Sequence, residues 1–487
     1  PLFRLPDLSD LADGVRPLDE GAQRFVTSYH DTDDLRLARW GASLRYRTGE
    51  GWTVKLPQAV GQLHDLGVIV RQEHTFESGP GKPPAEALDL VRAFVRSEPV
   101  SLSVRLQTVR RRTELIGADD SAVAEVVDDE VSVLDGRRVV GRFRELEVEL
   151  APGSDDGILR SALGRLRKEG AEPSTPLPKH VRALQPRSTL PPDVQPIPIG
   201  RDATVTQMVR AALSESASRL IRSDPVVRLD QDPEGVHQAR VATRRLRSDL
   251  RTFRALLDPE WDAGLRGELR WLTEELGPVR DLDVLEQRLR SQVATLPEGD
   301  STSAPKLLER LRVQREEARA ELLSAMREDR YVALLDRVVA AASEPMVLSG
   351  VADRVARDLL GDLMAGPWNH LQKSCEALGP ASVDGELHEA RIRAKRARYA
   401  SEALLPVAPK RARRFAKRAA ALQDVLGQHQ DAVVAAAWLR EQALGTTARV
   451  AFTAGELASV EARSQRTARK QWPKAWAALA DPKVRFW

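Results

Sequence analysis

Two histidine-headed rows of cations stand out in this 487-residue chain. His237 is followed by Arg240, Arg244, Arg245 and Arg247, and His388 by Arg391, Lys395, Arg396 and Arg398. Helical advance of about 100° per residue puts His237, Arg240, Arg244, Arg247 and Arg251 in one stripe roughly 80° wide. Ala239, Leu246, Leu250 and Phe253 fall on the opposite side. The second row repeats the stripe with His388, Arg391, Lys395 and Arg398, and has Glu402 where Arg251 would be. Like charges three and four residues apart repel, so such a stripe is unfavourable without a counter-anion. The arginine fork matches phosphate oxygens and keeps its charge. For one helix, a solvated basic face is an equal reading. Recurrence of the same pattern shifts the balance towards a polyanion site. The histidines read equally as buried residues bonding a helix end or as direct phosphate contacts, and their protonation near neutral pH would tune affinity.

A second set of charges lies on strand-like segments. Alternate residues of a strand share a face, so Arg45 points with Arg47, Arg110 with Arg112, and Glu145 with Glu147 and Glu149. Lys55 closes the run WTVKL. On an open sheet these charges would form a ladder of surface ion pairs worth little. If the sheet closes into a barrel, they line its interior. The cations would then bind a triphosphate and the carboxylates a hard divalent cation.

The elements that must position these residues are of two kinds. Before residue 185, short alternating runs (SLRYR, GWTVKL, SVRLQTV, AVAEVV, RELEVEL) are separated by turn residues and read as strands, with helices near Pro84–Arg96 and Asp156–Glu169. Gln185–Gly200 is proline-rich and reads as a stiff linker. Beyond it the period is helical. Helices are expected near Ala203–Arg222, Gly235–Leu257, Leu265–Leu276, Asp281–Val293, Ala304–Met326 and Arg330–Ala342, then near Val351–Leu378, Glu386–Leu404, Ala412–Leu426 and Asp431–Gln442. The histidine rows recur at an offset of 151 residues, and Leu276-Gly277…Asp281 recurs as Leu426-Gly427…Asp431 at an offset of 150. That order and spacing indicate a duplication. The expected architecture is an α+β N-terminal antiparallel β-barrel (1–185), a linker (186–199) and an all-α duplicated helical bundle (200–487), with pseudo-symmetric halves at about 200–345 and 346–487.

Composition adds limits. Residues 1–200 carry 27 Lys and Arg against 31 Asp and Glu, and residues 201–487 carry 47 against 40, so the net charge of +3 conceals a modest basic excess in the helical part. No run reaches the ~18 apolar residues of a membrane span, and no secretory signal pattern opens the chain. A single cysteine, Cys375, leaves no internal disulfide and fits a reducing compartment.

The HxxRVxxRRLR element, its HxxRIxxKRxR echo and the two LG…D elements resemble the CHAD family (conserved-histidine α-helical domain) across residues 200–487. This resemblance implies a basic channel that binds inorganic polyphosphate through His237, Arg240, Arg244, Arg245, Arg247, His388, Arg391, Lys395, Arg396 and Arg398. Arg354 and Arg357 are weaker candidates. The order Tyr29-His-Asp31, Leu44-Arg45-Tyr-Arg47, Trp52-Thr-Val-Lys55, Arg110–Arg112, Ala124-Glu125, Glu145-Leu-Glu147-Val-Glu149 and Lys179 resembles the CYTH family, the triphosphate tunnel metalloenzymes, over nearly all of 1–185. It implies phosphate binding by Arg45, Arg47, Lys55, Arg110, Arg112 and Lys179. Glu147, Glu149 and Lys55 would be catalytic, and Glu125, Glu147 and Glu149 would hold Mg2+ or Mn2+. Glu73, Asp128 and Glu145 are weaker metal candidates. The family opens on an E-x-E-x-K strand, and no such motif stands near Pro1. Either the sequence starts inside the domain, which the intact remaining charges favour, or the strand is lost.

These resemblances imply a cytoplasmic protein, associated with polyphosphate granules, that grips polyphosphate and hydrolyses inorganic triphosphate or a related triphosphorylated substrate. The alternatives are a non-catalytic polyphosphate binder with a degenerate tunnel domain, and a nucleic-acid binder. Specific nucleic-acid binding is not expected, since the stripe lacks interleaved aromatics and a DNA-reading motif.

Overall fold

The computed structural model describes residues 3–9, 11, 14–57, 71–173 and 177–487. The chain divides into two compact units, Pro1–Asp193 and Val194–Trp487.

The first unit is built on seven strands: β1 (Arg16–Asp31), β2 (Ser43–Arg47), β3 (Gly51–Pro57), β4 (Arg71–Phe76), β5 (Ser101–Ile116), β6 (Ala122–Asp135) and β7 (Arg138–Leu150). They form one sheet in the order β4-β3-β2-β1-β5-β6-β7, and every ladder is antiparallel. This is the expected α+β class with its antiparallel sheet. Among the described residues no ladder joins β4 to β7, so the sheet is open rather than a closed barrel. Helices α1 (Arg36–Arg39), α2 (Ala85–Val95), α3 (Asp156–Lys168) and α4 (Lys179–Ala183) accompany it. On one face of β5–β7 an apolar patch packs on α3, where Leu115, Ala124 and Val126 meet Ile158 and Ala162. Packing of that patch fixes the alternate residues, among them Arg110, Glu125, Glu147 and Glu149, on the other side.

The second unit is helical: α5 (Val205–Leu229), α6 (Glu234–Phe253), α7 (Pro259–Val293), α8 (Glu298–Ser301), α9 (Ala304–Ala325), α10 (Asp329–Ser343), α11 (Leu360–Glu376), α12 (Asp384–Ala403), α13 (Pro409–Gln442) and α14 (Ala448–Ala480). Local signals start several of them. Thr204 and Gln207 make a reciprocal capping box at α5, and Asp258 caps α7 just before Pro259. Helices α6 and α12 begin 150 residues apart, as do α7 and α13. In each half a helix packs between its neighbours in the same order: α6 between α5 and α7, α12 between α11 and α13.

Two expected breaks are absent. The sequence pattern predicts two helices in each of 265–293 and 412–442, divided at the LG…D element, yet α7 runs through Gly277-Pro278 and α13 through Gly427. Pro278 forfeits one intrahelical bond. Buried Leu272, Leu276, Val279 and Leu285 keep a continuous apolar stripe on both sides of it, so packing overrides the local preference. Conversely, the helix expected over 351–378 is confined to α11, preceded by a 3-10 turn at Ala356–Leu359.

Candidate functional site

In the strand unit, ladder register shows which charges share a face. Tyr29 pairs with Arg45, Ser43 with Lys55, and Lys55 with Glu73. Arg110 pairs with Asp129, and Asp129 with Glu145; Val127 pairs with Glu147, and Glu125 with Glu149. Paired residues project to the same side of a sheet, so all of these occupy one face. A cleft of about 1250 Å3 opens on it. Of the expected residues, Arg45, Arg47, Lys55, Arg110, Lys179, Glu147 and Glu149 line this cleft, with Glu73 and Glu145 beside them. Arg112 and Glu125 share the face but lie outside the cleft lining, bound to each other.

The cleft is internally charge-matched. The Lys179 ammonium lies 3.1 Å from Asp129, 2.5 Å from Glu145 and 2.9 Å from Glu147. Burial opposes its charge, but the three carboxylates outweigh this and raise its pKa. Burial pushes Glu145 upward. Burial also acts on Asp129, but the two-pronged bond from Arg110, at 2.9 and 2.7 Å, together with Lys179 holds it below the usual carboxylate range. At the other end, Glu50 reaches Arg47 at 2.6 Å and Arg45 at 3.6 Å. The hairpin holding Glu50 needs Gly51 (φ +85°), where a Cβ would fall 2.7 Å from the Phe76 carbonyl oxygen. Arg47 lies over the Phe25 ring at 4.1 Å, and Tyr29 stacks on His180 at 4.6 Å.

Asp128 is a correction. It projects to the reverse face, where Arg144 holds it with two bonds of 2.7 and 2.6 Å. Asp129 is the residue that belongs with the cleft. Counting alternate positions from Glu125 would have selected Asp129, and would have rejected Asp128.

For a divalent metal, the donor set is all carboxylate, which suits a hard cation. Glu114, Glu125 and Glu149 stand in one row across β5, β6 and β7. Like charges directly opposed in this way are unfavourable without a cation between them. Among the described residues, however, no three carboxylate, His or Cys side chains converge as a metal cage. Glu125 is engaged by Arg112 and Glu147 by Lys179.

In the helical unit, α6 packs against α12 and brings the two rows together. Arg240 donates to the Gly277 carbonyl at 2.7 Å and lies 3.0 Å from Asp281. Arg391 takes the equivalent place: its Nε is 3.4 Å from where a Cβ on Gly427 would be, and its charge acts on Asp431. The LG…D elements are therefore seats for guanidinium groups. Asp281 acts electrostatically on Asp431, which places the two seats near one another. Arg244 donates to the Tyr399 hydroxyl at 3.3 Å. The Nε groups of Arg240, Arg244 and Arg391, and Nδ1 of His388, are buried without a hydrogen-bond partner among the described residues. Burial depresses the His237 pKa, helped by Arg280, Arg244 and Arg240.

Farther along, burial and mutual repulsion lower the pKa values of Arg247, Arg251 and Arg396, with Arg251 acting on both of the others. Arg251 and Arg393 join this crowd although neither is among the contacts that the CHAD resemblance implies; Arg393 falls opposite Ala242 when the copies are aligned, so the repeat conceals it. Two expected contacts have other partners. Arg245 is held by Glu402 and by Asp249 at 3.3 Å, and Arg398 bonds Glu402 at 2.7 Å.

Comparison with known proteins places the two units in two domain families. Residues 3–172 match the CYTH domain and residues 211–440 match the CHAD domain. The proteins Rv2226 and MT2285, from two strains of Mycobacterium tuberculosis, are each 30% identical over 500 residues, covering 96% of this chain and 92% of theirs. The chain therefore belongs to the proteins that join an N-terminal CYTH domain to a CHAD domain. Those domains support a function related to polyphosphate or triphosphate. Among solved structures, it is similar to PptA from Streptomyces chartreusis (26% identity, 56% of this chain and 100% of that one, TM-score 0.48). It is also similar to the CHAD domain from the plant Ricinus communis (26% identity, 59% and 96%, TM-score 0.48). Among the described residues no helix is long and apolar enough to cross a membrane.

Proposed function

We propose that the helical unit binds inorganic polyphosphate across the α6–α12 face, in two halves related by the duplication. The observation that carries this reading is the set of buried, unpartnered Nε–H groups on Arg240, Arg244 and Arg391, with the unpartnered Nδ1 of His388 beside them. An orphaned buried donor costs about 1–3 kcal/mol, more when charged, and a phosphate chain would satisfy several at once. Lys395, Arg247 and Arg396 extend the same basic face. Full-length protein titrated with polyphosphate of defined length, with duplex DNA as competitor at fixed salt, tests this; equal competition by DNA, weight for weight, would contradict it.

For the strand unit we infer hydrolysis of inorganic triphosphate or a related triphosphorylated substrate. Arg45, Arg47, Lys55, Arg110 and Lys179 would hold phosphate oxygens, and Arg112 would orient Glu125. Glu147, Glu149 and Glu125 would hold Mg2+ or Mn2+. When bound, the metal would polarise a phosphoryl oxygen and supply an activated water. Among this chain's own residues, Lys55 neutralises charge developing at the phosphate, and Lys179 is the cation that substrate and metal must share with Glu147. The location that fits such work is the cytoplasm, near polyphosphate stores. Phosphate release from triphosphate with Mg2+ or Mn2+ tests this half. Release no greater than that of a Glu147→Ala, Glu149→Ala variant would refute it and leave a binding protein without turnover. The occupation of the carboxylate cluster by Lys179 favours that second reading.

A further inference from the structure

A second basic site lies in the helical unit, away from the α6–α12 contacts described above. A cavity of about 570 Å3 is lined by Lys410, Arg411 and Arg414 from the start of α13 and by Lys483, Val484 and Arg485. Five of its six lining residues are cations, and none is an acid or an aromatic. The volume lies within the usual range of small-ligand sites. Among the described residues, none of the five cations has a carboxylate within 4.0 Å, although ion pairs are common elsewhere in this unit. The first turn of α13 carries no acidic residue. Its cations sit where the helix dipole is positive, which is unfavourable by itself and favourable once an anion binds.

The approach of the two basic segments is imposed by packing. Buried Val484 and Phe486 anchor the segment that follows α14. Phe486 and Trp487 meet Phe415 of α13, with ring centroids 6.1 and 5.3 Å apart. Trp487 also meets Trp368 of α11 at 6.0 Å. Arg485 lies over the Trp368 ring at 4.6 Å and donates to Gln372 at 3.3 Å. Lys483 and Arg485 are thus held facing Lys410, Arg411 and Arg414 despite their repulsion. The CHAD match ends at residue 440, before Lys483 and Arg485, so half of the cavity belongs to sequence outside it.

We propose that this cavity is a separate anion site for a short inorganic oligophosphate, such as tripolyphosphate or the end of a longer chain. Its three guanidinium groups offer forked donors to phosphate oxygens. A nucleotide is a poorer fit, because no aromatic side chain lines the cavity to stack a base. The shared chemistry of a phosphoinositide headgroup is separated by experiment. The site is independent of the reading given to the α6–α12 face.

The test is calorimetric titration of the full chain with tripolyphosphate in the presence of a chelator. The proteins compared are the unaltered chain, an Arg411→Gln, Arg414→Gln, Lys483→Gln variant and an Arg240→Gln, Arg391→Gln variant. All three residues of the first variant are exposed, and Arg411→Lys with Arg414→Lys keeps the charge as a folding control. The expected result is loss of one binding event, or weakening of about tenfold or more, in the cavity variant only. The same event persists in the α6–α12 variant and largely in the Lys control. An isotherm unchanged by the cavity substitutions overturns the proposal, as does loss of all binding in the α6–α12 variant. Cavity-dependent capture of phosphatidylinositol bisphosphate vesicles without tripolyphosphate binding would also overturn it.

Discussion

Arg240 of α6 donates a 2.7 Å hydrogen bond to the carbonyl of Gly277, in the middle of α7. A glycine inside a 35-residue helix lowers its stability by roughly 0.5–1 kcal/mol relative to alanine. The guanidinium lies against this position: Arg240 Nη1 would be 3.6 Å from a Cβ there, an ordinary contact that leaves no room for a longer side chain. Gly277→Ala fits at van der Waals contact, and is expected to raise stability by up to about 1 kcal/mol with polyphosphate affinity retained. Gly277→Leu is expected to expel the guanidinium and weaken binding by about tenfold. Denaturant melts and titrations on both variants check this; a Leu variant that binds normally contradicts it.

The pairing of Arg245 with Glu402 and Asp249 makes a prediction about pH. Asp249 is fully buried, and burial raises its pKa to about 7, with Arg245 opposing and Glu402 and Glu215 reinforcing the rise. A carboxyl whose folded pKa exceeds its unfolded value binds protons more tightly when folded. Stability is therefore expected to fall as pH rises from about 4 to about 7 through this group. Asp249→Asn should flatten that part of the curve, measured as melting temperature between pH 5 and 8. An unchanged slope would remove Asp249 from the account.

His237 makes the opposite use of pH. Burial and nearby arginines keep its pKa below the ordinary value, so it is neutral near pH 7 in the free protein. A bound polyanion favours the protonated ring, so affinity should rise as the solution is made more acidic than neutral. His237→Gln should weaken this dependence, as read from titrations at pH 5.5 and 8. A parallel rise in both proteins would assign the effect elsewhere.

In the strand unit, Lys179 bridges Asp129, Glu145 and Glu147. Lys179→Met removes the cation that Glu145 and Glu147 share, while Arg110 still holds Asp129, and is expected to cut triphosphate hydrolysis by about a hundredfold or more. Calorimetry on the same variant should show divalent-metal binding that is tighter or unchanged, because the competing ammonium is gone. Full turnover by the variant would exclude Lys179 from the machinery.

Much of this arrangement was legible in the sequence where period and charge coincide. SLRYR and GWTVKL are β2 and most of β3, and α2 and α3 lie within a residue of their expected ends. The 16-residue β1 was not legible, because its first half is mostly exposed and has no apolar alternation. Gly277-Pro278 looked like a helix break because its function, a seat for Arg240, depends on a partner in another helix. Glu50 was missed as the partner of Arg45 and Arg47 because a hairpin turn, rather than strand alternation, brings it back. The cations of the two histidine-headed rows were legible as a set, but their division between open and already paired groups was not. Arg245 and Arg398 share Glu402, a residue the repeat marks only as a departure from Arg251.

The central claim is that the α6–α12 face grips polyphosphate through guanidinium groups seated on two equivalent glycines. The most direct measurement is polyphosphate affinity of an Arg240→Gln, Arg391→Gln variant beside the unaltered chain, with helical content and melting temperature as controls. The account predicts a loss of about a hundredfold or more in affinity with helical content retained. Unchanged affinity in a folded double variant would contradict it and place the polyanion on another face.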